Sequence, residues 1–111
     1  MTTTERRTRT ITLTGRAPVK IVEEDWPVIA KADAHAQRRH TSVRVRRHLD
    51  GRSIVYGTRG GGFVLDLSAG AIIAAGDQSI ALPEAIRAVC ADLGAPELAQ
   101  RLIADLPAVA I

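Results

Sequence analysis

The chain has 111 residues, 46% of them hydrophobic, only 3% aromatic, and a net charge of +3. That is close to the commonest single-domain size, with no room for a second core, and the longest apolar stretch, 63–75, is broken by Asp66 and Gly70, short of the about 20 apolar residues a membrane span needs. The opening MTTTERRTRT has charges with no apolar run behind them, and the single Cys90 allows no internal disulfide, so a soluble, cytoplasmic protein of a reducing compartment is expected, without a secretory signal.

Residues 1–8 are polar, Thr-rich and aperiodic, which predicts a flexible tail ahead of one domain at 9–111. In RTITLT, Ile11 and Leu13 alternate with threonines, the period-two mark of a half-buried strand, and VKIV returns after a turn at 15–18. Glu23, Glu24 and Asp25 before Trp26 and Pro27 suit a helix N-terminus, where backbone N–H groups favour acids. Trp26, Ile29, Ala30 and Ala34 recur at helical spacing, so a short helix is predicted over 25–35, anchored to the sheet by Trp26. AHAQRRH then forms a basic connection.

RRHTSVRVRRHLDGRSIVYG, 38–57, predicts a β-hairpin about the turn Asp50-Gly51. Strand alternation sends Val43, Val45, Arg47 and Leu49 to one face and Ser42, Arg44, Arg46 and His48 to the other. Thr58–Gly62 is expected as a flexible loop, FVLDL as a strand buried on both faces apart from Asp66, and AIIAA as a further strand or a helix start, with the strand favoured. Pro83 is expected to open a helix with Ile86, Val89, Cys90 and Leu93 on one stripe and Gly94 as its cap. Pro96 opens a second helix, striped by Leu98, Leu102 and Leu106 and stopped by Pro107. The fold class predicted is α+β: a mostly antiparallel sheet of four to six short strands, one early helix and two C-terminal helices, in the order β-β-α-β-β-β-α-α.

Charge is unevenly divided along this order. Residues 1–59 hold 13 Lys/Arg against six Asp/Glu, a balance of +7, while residues 60–111 hold two against six, or −4. Such asymmetry bears on partners and association rates, and it puts the expected functional surface in the first half.

No motif for catalysis, metal or cofactor emerges. The glycines of YGTRGGGF lack the Lys-Ser/Thr pair and following helix that a phosphate loop requires. His35, His40 and His48 match no closed zinc site and are expected to be solvated or capping. Cys90 shares an apolar stripe and is expected to pack rather than react, and no carboxylate pair is recognisable. A non-enzymatic binding protein without cofactor is therefore expected. Its candidate contact residues are Arg38, Arg39, Arg44, Arg46, Arg52 and Arg59, whose forked donors match phosphate or carboxylate. Arg47, opposite Arg44, argues against one dedicated stripe. With Trp26 and Phe63 expected in the core, the aromatic stacking platforms of single-strand and RNA binders are missing, and no helix-turn-helix or zinc-finger signature appears, which leaves a β-ribbon or plain backbone contact with duplex, steeply weakened by salt.

ITLTGRAPVKI, EEDWPVIA, RVRRHLDGRSIVYG and IADLPA together resemble a group of small uncharacterised accessory proteins of proteobacterial plasmids and integrative elements. The resemblance covers most of the chain but departs around 36–41, where the others have a longer insert. It implies a genomic setting in which such proteins include inhibitors of host defence, anti-CRISPR proteins among them, and it transfers no residue role. The function expected is inhibition or modulation of a host protein through an acidic surface met by the Arg-rich hairpin. The alternative is sequence-tolerant nucleic-acid binding by the same face, and a third expectation is a homodimer joined along the hairpin edge.

Overall fold

The computed structural model describes residues 7–15, 17–36, 38–73 and 78–107. Strands β1 (Thr8–Ile11) and β2 (Val19–Val22) form one antiparallel pair, in register from Thr8 opposite Val22 to Ile11 opposite Val19. Strands β3 (Val28–Ala36), β4 (Arg39–Arg47), β5 (Ser53–Gly61) and β6 (Val64–Ile73) form an antiparallel meander in that spatial order. Helices α1 (Gln78–Asp92) and α2 (Leu98–Asp105) close the described chain. The fold is α+β, with six antiparallel strands in two sheets.

Period-two alternation builds a core on each side of the large sheet. Ala30, Ala32, Val43, Val45, Val55 and Ala69 meet the helical stripe Ile86, Val89, Cys90 and Leu93, with Leu98 and Leu102 from α2. On the other face Ile54 packs with Ile11, Leu13 and Ile21 of the small hairpin, flanked by Trp26 and Tyr56. The helices come very close to the sheet at Gly57, where a Cβ would stand 2.7 Å from the Leu93 side chain and 2.5 Å from the Ser42 carbonyl oxygen. Gly94, at φ +75°, closes α1 in the left-handed conformation that favours glycine.

The early helix is not formed. Glu23–Asp25 makes one 3₁₀ turn, and the chain then extends into β3. The observed order is therefore β-β-β-β-β-β-α-α. Alanines at 30, 32 and 34 satisfy helical and strand spacing alike, and pairing with β4 decides between them: Ala30 and Ala32 are buried on the helix side while Lys31 is exposed. Trp26 accordingly anchors no helix; it lies at the second core, its ring 5.0 Å from that of His48.

The strands are longer than their sequence signals. AHAQRRH is no connection, because β3 and β4 pair to Ala36 opposite Arg39 and Arg38 turns at φ 67°. Thr58–Gly61 is not a loop but the end of β5, and FVLDL and AIIAA belong to one edge strand up to Ile73, with residues 74 and 75 outside the described part. Phe63, Val64 and Leu65 are consequently outside the core, 109%, 69% and 58% exposed, and Leu49 is 88% exposed at its turn. Helix α1 begins at Gln78, five residues before Pro83, which lies inside it. Of the expected tail, residues 1–6 lie outside the described part; the Glu23 N–H donates to the Arg7 carbonyl, and Thr8 already pairs in β1.

Candidate interaction surface

The hairpin strands alternate as expected, yet their arginines go to four different places. Arg46 is buried: its Nε donates to the Tyr56 hydroxyl at 2.9 Å and its Nη1 to the Trp26 carbonyl at 3.0 Å, with Glu23 at 3.9 Å. It ties the small hairpin's core to the sheet. Arg44 lies further along the same face, 3.4 Å from Asp33 Oδ1 and 3.1 Å from the Val43 carbonyl. Arg52, at the opposite end of the sheet, pairs with Asp50 at 2.7 Å and sits 5.3 Å over the Trp26 ring. Arg47 reaches Ser53 Oγ at 3.5 Å.

Arg38, Arg39 and Arg59 are brought together, at the end where the β3–β4 and β5–β6 turns lie side by side: Arg39 is opposite Gly61 in the β4–β5 register. Asp66 sits between two of them, accepting from Arg39 Nη1 at 2.7 Å and from Arg59 Nε at 3.4 Å. Arg59 Nη1 also donates to the Leu93 carbonyl at 3.2 Å, so this side of the cluster is fastened to the end of α1. Arg38 is exposed on its turn.

The neighbouring turn carries what the sequence reading missed. Gly61 opposite Val64 leaves a two-residue turn, Gly62-Phe63, with Gly62 at φ +60°, and the Phe63 ring stands wholly in solvent. With Val64 and Leu65, which follow it on alternate faces of β6, it makes a run of three exposed apolar residues at the tip that carries the arginines. Turn chemistry was the available signal: a glycine-led two-residue hairpin turn sets its second residue at the apex. No family model, curated protein or solved structure matches the chain.

Each outer edge of the sheet carries a side-chain hydrogen bond. The Arg101 guanidinium donates to the Asp33 carbonyl of β3 at 3.3 Å, and the Ser68 N–H of β6 donates to Thr14 Oγ1 at 3.4 Å. Register shifts interrupt β3 between Val28 and Ala30 and the β5–β6 pair at Arg59/Gly60. Such plugs and irregularities discourage edge-to-edge pairing. The Arg-rich hairpin itself is the centre of the sheet, with β3 on one side and β6 on the other, so it has no open edge through which to pair with a twin.

His48 caps its turn, its Nδ1 accepting from the Asp50 N–H at 3.0 Å. His35 and His40, directly opposite across β3 and β4, stack at 4.2 Å with their planes 3° apart, and His40 Nε2 lies 3.2 Å from Asp33 Oδ1. Burial pushes the Asp33 carboxyl up, but hydrogen bonds from Ser42, the charge of Arg44 and bonds from His40 and Arg44 outweigh it and hold the group below its ordinary value. Burial, reinforced by the charge of Glu97, pushes the Cys90 thiol up to about 11. Among the described residues no three His, Cys, Asp or Glu side chains are placed to hold a metal ion, and no helix is long and apolar enough to cross a membrane.

Proposed function

We propose that the chain is a non-enzymatic binding protein, cytoplasmic and of the mobile-element kind it resembles, which inhibits or modulates a host protein. Its contact surface is the sheet end formed by Arg38, Arg39, Arg59 and the Phe63-Val64-Leu65 tip. The observation that carries this reading is the exposed apolar triplet rimmed by charge, since clustered exposed apolar side chains mark interaction sites and aromatic and Arg anchors dominate interfaces. Contact is made by side chains: the tip enters an apolar depression of the partner and the arginines meet acids on its rim, where charge complementarity speeds association. Arg44, Arg46 and Arg52 are outside this surface. The test is affinity capture from host lysate after nuclease treatment. A reproducible partner is expected, and its absence overturns the reading.

The exposed Phe63 also favours a second reading, sequence-tolerant nucleic-acid binding, because an aromatic beside basic side chains can stack on a base. Asp66 in the middle of the cluster and the aliphatic Val64 and Leu65 weigh against it. Titration with duplex and single-stranded DNA at two salt concentrations separates the two: tight binding that collapses with salt supports nucleic acid, and none at low salt removes it.

A further inference from the structure

Between the two turns at this end is a crevice of about 380 Å³, lined by His35, Arg38, Arg39, His40, Gly60 and Gly62. Two arginines and two histidines converge there, with no carboxylate among the described lining residues. At Gly62 no described atom lies within 4 Å of where a Cβ would stand, whereas at Gly60 the Val64 carbonyl oxygen takes that space, so the open backbone is that of Gly62. An anion can therefore approach backbone as well as guanidinium groups.

We infer that this crevice is a proton-linked site for a phosphate-type oxyanion, held by Arg38 and Arg39 and strengthened when the His35–His40 stack takes up a proton. The stack lies 4.2 Å ring to ring, so two imidazolium charges repel each other, while one proton beside a bound dianion is favoured. The charged groups around the pair set its balance. Asp33 of β3 holds His40; Arg44 of β4 faces Asp33; Arg59 of β5 and Asp66 of β6 position Arg39; and Arg101 of α2 is fixed on the Asp33 carbonyl. Histidine is the side chain whose charge changes between pH 5 and 8, so the anion held by the arginines binds more tightly as pH falls.

The inference rests on the reading above only for the source of the anion, a phosphorylated side chain of the protein partner or a free ion. Sulfate is the direct probe, because its own charge is constant over this pH range. Chemical-shift titration of the full chain is expected to move signals of residues 35–40 and 60–62, with affinity about tenfold or more higher at pH 6 than at pH 8. Arg38→Ser should weaken binding at both pH values, and His35→Gln should remove the pH dependence, with His40→Gln as the second variant should His35→Gln lower the melting temperature. Equal affinity at the two pH values, signals elsewhere, or pH dependence surviving both histidine variants overturns the site. A phosphoserine peptide binding more tightly than sulfate assigns the anion to a partner, and inorganic phosphate matching the peptide assigns a free ion. Sulfate binding lost while lysate capture persists defeats this inference alone; capture lost while sulfate still binds defeats the partner reading alone.

Discussion

Arg46 and Arg38 show how differently one residue type behaves in this chain. Arg46 has its guanidinium out of solvent and bonded to Tyr56 and Trp26. Arg46→Ala strands those acceptors and opens the second core, for which a loss of about 2–3 kcal/mol is expected, as for charged hydrogen bonds. Arg38→Ser, on an exposed turn, should stay within about 0.5 kcal/mol; urea denaturation of the two variants measures the contrast. Asp33 gives a pH prediction. Its carboxyl titrates lower folded than unfolded, so the unfolded chain takes up the proton first. The contribution of Asp33 is complete above the ordinary carboxyl range and disappears as pH falls through the folded value. Asp33→Asn should therefore lose less stability than the parent between pH 5 and pH 3, by denaturation at both.

Among the elements, α1 was the most legible. Its stripe Ile86, Val89, Cys90 and Leu93 is buried throughout, and Gly94 ends it. Since Cys90 is covered by the sheet and its thiol pushed up to about 11, a disulfide reagent at pH 8 should label it slowly in the native protein and rapidly in denaturant; fast native labelling would contradict the packing. The first hairpin was equally plain, because Ile11 and Leu13 alternate with β-branched neighbours. β3 was not, since alanine fits both periods and the deciding term is pairing with β4, which lies outside the local sequence. Phe63 was misassigned for a related reason. An apolar run suggests burial, but FVLDL begins at a turn apex on an edge strand, and the register of β5 against β6 places Phe63 and Val64 at that apex, where no described element covers them. The six candidate arginines were legible as a basic set but not as a surface, because alternation fixes which face a side chain takes and not what awaits it there. Arg46 meets a second core that the sequence reading did not foresee.

At the scale of the molecule, five first-half arginines are paired within the fold: Arg9 on Glu23, Arg39 and Arg59 on Asp66, Arg44 on Asp33, Arg52 on Asp50, of which Asp66 alone comes from the acidic second half. Exposed pairs of this kind contribute about 0–1 kcal/mol each, so they direct side chains more than they stabilise the fold. What they leave at one end is a basic rim around an apolar tip. A helical layer and a hairpin layer pack on opposite faces of the sheet, holding the two turns that carry this rim in fixed register. The central claim is that Phe63 is the anchor of that surface. Its most direct test is parallel capture from nuclease-treated lysate with the parent chain and with Phe63→Ser, whose melting temperature should be unchanged. The parent should retain a partner whose capture the substitution reduces tenfold or more, about 1.4 kcal/mol or greater; the same proteins held in equal amount by both would mean that Phe63 anchors nothing.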